Sequence, residues 1–296
     1  MFIERKEYNK VITIKLVIPN GCNAKCPFCY NKDKDLRCDK ASFIENFIPS
    51  LDNIITQIGN KNPVSVDITG GEPTLDADFF IQVLKKLKEY DIKSKVLRTT
   101  LTTNGYRLNE VIPYLEGVID YVNISMHTFN TFERQQIMGM HMPLNDYYNL
   151  ICDLKEIGID TSASAVIYQD IPDFNNWRDE FIKICKSLGF KALRFRCDVF
   201  WDEAEKFDNY LLSAKYDNHF NVITYEKTTD SHWLRLREKY TGFRVFFLHG
   251  VLDTSLLTKG IEYVIDTDGK CYCDYYRNIP IEEYEYEIGK IYDYCE

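Results

Sequence analysis

From residue 11 to about residue 215 the chain alternates short β-branched runs with amphipathic stretches of helical length, six times over. That alternation admits little besides parallel strands crossed by helices. Strands are expected at Val11–Ile18, Val64–Thr69, Lys95–Thr103, Tyr121–His127, Thr161–Tyr168 and Ala192–Asp198. Helices are expected at Ser42–Ile58, Asp78–Tyr90, Leu108–Leu115, Asn145–Ile157 and Trp177–Leu188, where apolar residues recur three or four apart. Gly59, Gly117, Gly158 and Gly189 each stand just past one of them, at the left-handed cap position. The expected fold class is α/β: a partial (β/α)6 TIM-like barrel over residues 1–215, followed by a small C-terminal α+β extension over 216–296 that covers the barrel.

That extension has a different character. Residues 200–260 are rich in aromatics without clear strand–helix alternation, and Tyr263 to Cys273 reads as a hairpin turning on Asp268-Gly269. From Ile281 to Glu296 there are six acidic residues and one lysine, expected as a solvated tail lying on the domain.

The net charge of −9 and a pI near 5.2 argue against bulk nucleic acid as a partner, while leaving room for one small basic pocket. The first ten residues carry charges where a signal peptide needs an apolar stretch, and no apolar run approaches the roughly 20 residues of a membrane span. A cytoplasmic location without membrane contact is therefore expected. Thiols stay reduced there, so clustered cysteines point to metal ligation or catalysis rather than disulfides.

Ten cysteines are present, and three of them cluster. Cys22-Asn-Ala-Lys-Cys26-Pro-Phe-Cys29 directly follows the first strand, after Pro19-Asn20-Gly21 has turned the chain. Three thiolates on one tight loop suit three corners of a [4Fe–4S] cubane and leave one iron open for chemistry. A structural zinc site needs a fourth Cys or His, and Cys38, the nearest, lies nine residues on past a charged stretch.

In this loop the chain resembles the radical S-adenosylmethionine (radical SAM) enzymes, whose CxxxCxΦC motif it matches with Phe28 as the aromatic. Asp67-Ile-Thr-Gly70-Gly71-Glu72-Pro73 closes the second strand like that family's GGE segment. Thr102-Thr103-Asn104-Gly105 closes the third strand, and Asn123-Ile-Ser125 lies in the fourth. The resemblance covers residues 11 to about 200. It implies a [4Fe–4S] cluster on Cys22, Cys26 and Cys29, with S-adenosylmethionine chelating the open iron. It further implies that Gly70, Gly71 and Glu72 hold the cofactor's amino group and that Phe28 contacts adenine through its backbone. Thr103, Asn104, Ser125 and Ser164 complete the cofactor surface that it implies. Reductive cleavage then yields a 5′-deoxyadenosyl radical that abstracts a substrate hydrogen, and an external flavodoxin- or ferredoxin-type donor supplies the electron.

The residue chemistry points the same way. Paired glycines at a strand end let a ligand approach the backbone, and a carboxylate beside them suits an ammonium. Alternation aims Lys15, Arg196 and His127 into the barrel as substrate-positioning candidates. Each has a structural alternative: a Lys15–Asp67 pair, an Arg196 pair with Asp198 or Glu203, and a neutral hydrogen-bonded His127.

Cys271 and Cys273 resemble the start of SPASM or twitch extensions, but no CxxC run follows, so an extension without an auxiliary cluster is expected. Cys38, Cys152, Cys185 and Cys197 are scattered; Cys152 and Cys185 sit beside aliphatics on helix faces and are expected as small core residues. With about ten residues before the first strand, no N-terminal peptide-recognition domain is expected. The substrate is then a small molecule, a nucleotide or a separately presented peptide. The alternative is a non-catalytic iron–sulfur or zinc protein in electron transfer or regulation, which needs neither the GGE segment nor an open iron.

Overall fold

The first strand, β1 (Ile12–Ile18), buries Ile12, Ile14, Leu16 and Ile18 completely and leaves Thr13, Lys15 and Val17 half-buried on its other face. That two-residue period sets the plan of the whole molecule, described by a computed structural model over residues 11–29, 31–32, 36–58, 62–198, 200–227, 231–250 and 262–272. Beside β1 stand β2 (Val64–Gly70), β3 (Arg98–Thr103), β4 (Tyr121–Ser125), β5 (Asp160–Ile167) and β6 (Ala192–Cys197), all parallel and in sequence order.

The helices that return the chain are α1 (Lys40–Ile58), α2 (Ala77–Glu89), α6 (Leu144–Glu156) and α7 (Phe174–Leu188), with short α3 (Ile92–Lys95) and α4 (Leu108–Val111) between. Each long helix buries one apolar stripe: α2 places Phe79, Phe80, Val83, Leu84 and Leu87 on the sheet. Its start is fixed by Asp76, whose Oδ1 accepts from Phe79 N at 3.1 Å. Gly117, Gly158 and Gly189 adopt positive φ as caps require, while Gly59 lies outside the described residues.

Three differences from the expected elements have physical reasons. The third strand begins at Arg98 because Ile92–Lys95 closes a helical turn first. The fourth helix loosens into a 3-10 turn at Ile112–Tyr114, where Pro113 removes a backbone donor. Two helices, α5 (Thr131–Met138) and α8 (Glu205–Lys215), were not anticipated.

The segment after α8 also supplies strands. A meander of β7 (Phe220–Lys227), β8 (Ser231–Glu238) and β9 (Arg244–Gly250) adds to the far edge, with β9 parallel to β6. At the near edge β10 (Glu262–Ile265) runs parallel to β1 and pairs with β11 (Cys271–Tyr272) in the expected hairpin. Its turn docks on α1: Asn46 Nδ2 donates to Asp268 O, and Ser50 Oγ donates to Gly269 O at 2.7 Å. The order β11-β10-β1-β2-β3-β4-β5-β6-β9-β8-β7 thus forms one sheet that is not closed, an open partial barrel of the α/β class. The 281–296 tail lies outside the described residues.

Candidate functional site

The cysteine loop begins where β1 ends and is fastened on several sides. Glu72 N donates to Gly21 O at 2.9 Å, Asn104 Nδ2 donates to Asn23 Oδ1 at 2.9 Å, and Lys25 N donates to Met138 O at the end of α5. The Phe28 ring is buried, 4.6 Å from the His127 ring and 4.9 Å from that of Tyr168, beyond the carboxyl ends of β4 and β5. Within the loop Cys29 N donates to Cys26 O, a turn that brings the last two cysteines near each other.

Cys22, Cys26 and Cys29 are free thiols. Burial pushes Cys26 up to about 12, and its neighbours Cys29 and Cys22 add to the effect. Cys22 is raised too, by burial, with Glu72 and Cys29 contributing. The upward shifts at Cys22 and Cys26 are what a bound cation reverses, since iron takes thiolates. Among the described residues no group of three or more His, Cys, Asp or Glu is arranged to hold a single metal ion. Three thiols and no further donor is a ligand set that fits a cubane with one open iron.

The glycines at the end of β2, Gly70 and Gly71, serve backbone packing. A Cβ on Gly71 would stand 2.5 Å from Gly21 O, and one on Gly70 would stand 2.7 Å from Ile18 O. The end of β2 therefore lies directly against the start of the cysteine loop, backbone to backbone.

Glu72 is 1% exposed and sits in a cage of donors. Its Oε1 accepts from Thr103 Oγ1 at 2.6 Å, Thr74 Oγ1 at 2.6 Å and Thr74 N at 3.1 Å; its Oε2 accepts from Asn104 N at 2.6 Å. Burial raises its pKa in spite of these donors. The Thr74 hydroxyl explains how a proton is accommodated: it has one hydrogen, yet Tyr106 O accepts from it as well. A proton on Glu72 would reverse the Thr74 bond and free that hydrogen for Tyr106 O. Thr103 and Asn104 are buried in the same web, their polar atoms engaged with Glu72, Gly105, Asn23 and Tyr106.

Ser125, the last residue of β4, pairs in register with Ser164 in the middle of β5. His127 Nδ1 accepts from Val166 N at 3.1 Å, and burial with the nearby Arg134 charge lowers its pKa to about 3, so the ring is neutral with its hydrogen on Nε2. Arg134 is fully buried over the Tyr147 ring and donates to Thr128 O and Met142 O. A 280 Å³ cavity opens beside this layer, lined by His127, Phe129, Tyr168, Trp177 and Phe181.

Lys15 pairs in register with Asp67 on β2. Arg196 is exposed at the end of β6 and forms no ion pair with Asp198, whose Oδ1 takes Phe200 N, nor with Glu203, which bonds Lys206. Cys185 and Cys197 are core residues, Cys152 is half-buried, and Cys38 is exposed. Cys271 is buried, and Cys273 and Cys295 lie outside the described residues. Sequence reasoning passed over Asn23, Thr74 and Arg134; Thr74, two residues after an acid at a strand end, carried the one local signal.

An open sheet with six parallel central strands and a three-thiol loop after β1 defines an iron–sulfur class of α/β protein. The radical SAM superfamily model matches residues 16–183, and the chain belongs to that superfamily. Membership implies a [4Fe–4S] cluster and S-adenosylmethionine as cofactors. The chain is 31% identical over 148 residues to a Sulfolobus acidocaldarius protein named Probable GTP 3′,8-cyclase, covering 49% of this chain and 44% of the relative. It is 28% identical over 200 residues to the GTP 3′,8-cyclase of Aquifex aeolicus, covering 63% of this chain and 55% of the relative. The chain thus spans about half the length of these relatives. Among solved structures it is similar to Streptococcus suis SuiB bound to precursor peptide SuiA, at 16% identity and a TM-score of 0.48, over 71% of this chain and 48% of that one. No helix among the described residues is long and apolar enough to cross a membrane.

Proposed function

We propose that this chain is a radical SAM enzyme acting on a nucleotide-class substrate in the cytoplasm. Cys22, Cys26 and Cys29 would hold the [4Fe–4S] cluster, and Phe28, the Gly70–Glu72 segment, Ser125 and Ser164 would hold S-adenosylmethionine. When bound, the pair supplies one-electron cleavage of the sulfonium C–S bond and a 5′-deoxyadenosyl radical for hydrogen abstraction, the electron coming from a flavodoxin- or ferredoxin-type donor. The observation that carries this reading is the thiol loop fastened to the ends of β2, β3 and α5. The names of the relatives support a nucleotide over a peptide.

The chain's own residues orient and exclude water. Phe28, His127 and Tyr168 form an aromatic layer beside the loop, and the Gly70–Glu72 backbone and Ser125 with Ser164 face the cofactor. Thr103 and Asn104 act one step back, holding Glu72 and Asn23. Arg196 meets an anionic group of substrate, neutral His127 offers Nε2–H, and Lys15 lies deeper on the same face.

Anaerobic reconstitution tests the proposal. Four irons per chain, a spectral change on adding S-adenosylmethionine and 5′-deoxyadenosine on reduction are expected. Retention of cluster and product in Cys26→Ala sinks it. A cluster that forms yet ignores S-adenosylmethionine instead supports a non-catalytic electron-transfer or regulatory protein.

A further inference from the structure

Strand pairing brings five arginines onto one face of the sheet. Ser164 on β5, Arg194 on β6, Phe246 on β9 and Arg235 on β8 lie side by side in one row. The row below reads Ser162, Ala192, Arg244 and Arg237, and the row above reads Val166, Arg196, Leu248 and Trp233. The alternate residues Leu193, Phe195, Val245, Phe247, Leu234 and Leu236 are buried in the core on the opposite face.

In a chain of net charge −9, none of these five arginines makes a hydrogen bond or ion pair with a described residue. Arg194, the most enclosed, lies over the rings of Tyr121 and Phe246, at 5.6 and 5.8 Å, with the charges of Asp67, Arg98 and Arg196 near it. Arg237 and Arg244 are directly opposite each other, an arrangement in which like charges destabilise a sheet. Burial, with the charges of Arg98 and Arg196, weakens Arg194's hold on its proton, while Tyr121 and Asp67 oppose the effect. Among the described residues five guanidiniums share this face and Arg194 has one carboxylate, Asp67, acting on it without a hydrogen bond; such an excess of positive charge suits a ligand with several anionic oxygens, and planar guanidinium forks match phosphate bidentately. Phe246, between Arg194 and Arg235, adds a ring face of the kind on which bases stack.

We propose that Arg194, Arg235, Arg237 and Arg244, with Arg196 at the rim, form the polyphosphate subsite of a nucleoside polyphosphate that stacks on Phe246. The inference rests on the radical SAM reading and deepens it by placing the substrate's charged end on β6, β9 and β8. All five arginines lie beyond the superfamily match, which ends at residue 183. Ser164, in the same row, joins this surface to the cofactor side.

The test is anaerobic calorimetry on the reconstituted protein with guanosine triphosphate, guanosine and inorganic tripolyphosphate, beside a spectroscopic titration with S-adenosylmethionine. The triphosphate is expected to bind, tripolyphosphate to compete with it, and added salt to weaken both. Arg194→Ala, and separately the Arg235→Ala/Arg237→Ala pair, should each weaken triphosphate binding about tenfold or more, as for loss of a charge-assisted bond, and leave guanosine within about twofold. Arg235 and Arg237 are exposed, so the paired variant folds even if Arg194→Ala does not. Unchanged triphosphate affinity in the variants, guanosine binding as tightly as the triphosphate, or stronger displacement of tripolyphosphate by an oligoglutamate peptide overturns the subsite. A normal S-adenosylmethionine response without triphosphate binding defeats the subsite alone. Arginine-dependent triphosphate binding without that response upholds the subsite and defeats the radical reading.

Discussion

Asn104 donates from its side-chain amide to Asn23 Oδ1 at 2.9 Å, which ties the carboxyl end of β3 to the residue just after Cys22. The bond holds a loop that has little regular structure of its own in register with the sheet. Asn23→Ala leaves the Asn104 amide without this acceptor, at a cost of about 1 kcal/mol, and frees one flank of the loop. Iron should leave the reconstituted variant several-fold faster when a chelator is added, with little change in unfolding temperature. Asn53→Ala, on an exposed turn of α1, is the control; equal rates for the two variants would show that the bond does not hold the loop.

The close approach of β2 to the loop makes a sharper demand. In Gly71→Ala the new methyl would meet Gly21 O and Asn20 O, backbone atoms that cannot rotate away. Strain of about 1–3 kcal/mol is expected, together with failure to retain iron. Gly158→Ala meets nothing within 4 Å and carries only the penalty of its positive φ, about 1 kcal/mol, so it should lose stability and keep the cluster. Iron analysis of both variants, with unfolding curves, separates them; a Gly71→Ala protein with full iron would refute the packing role.

The six central strands and the cysteine loop were legible because alternation and motif spacing are local properties. What escaped had weak local signals. Helix α5 buries only Arg134 and Met138, so it shows no apolar stripe, although Asn130 marks its start by accepting from Phe132 N and Glu133 N. Strand β7 is largely exposed and slips register between Val222 and Thr224, which breaks the period of two. The carboxylate beside the paired glycines suits an ammonium, and its hydrogen bonds to Thr74, Thr103 and Asn104 are a further feature that local sequence does not show. Composition shows which chemistry is present, whereas the direction a side chain takes depends on contacts 30 residues away. Arg196 illustrates the reverse, since its lack of a partner among the described residues depends on where Asp198 and Glu203 find theirs.

His127 should behave as a buried neutral ring. Its pKa falls from 6.5 to about 3, chiefly through burial and secondarily through Arg134, so protonation favours the unfolded chain. The stability it contributes is therefore present above pH 6.5 and is lost as pH falls from 6.5 toward 3. In the unfolding temperature measured against pH, His127→Gln should flatten this acid limb. Histidine resonances of the metal-free protein give a direct check: the His127 ring should not titrate between pH 5 and 8, and a midpoint in that window would exclude the neutral, hydrogen-bonded ring.

Glu72 should show the opposite slope. Its pKa is raised above 4.5 by burial, so between 4.5 and its folded value the native protein binds a proton that the unfolded chain releases. Stability is then greatest below pH 4.5 as far as this group is concerned, and it declines as pH rises through the folded value. The two slopes are separable because His127 acts below pH 6.5 and acquires its proton on unfolding, whereas Glu72 surrenders one. In Glu72→Gln the amide oxygen can accept from Asn104 N but the amide nitrogen would face the Thr74 N–H, so the variant should be less stable at every pH while the alkaline decline disappears. Unfolding curves of wild type and variant collected from pH 5 to 9 decide the matter. Parallel curves would mean that the carboxyl is ionised throughout, with the Thr74 hydroxyl left to serve Glu72 and Tyr106 through one hydrogen.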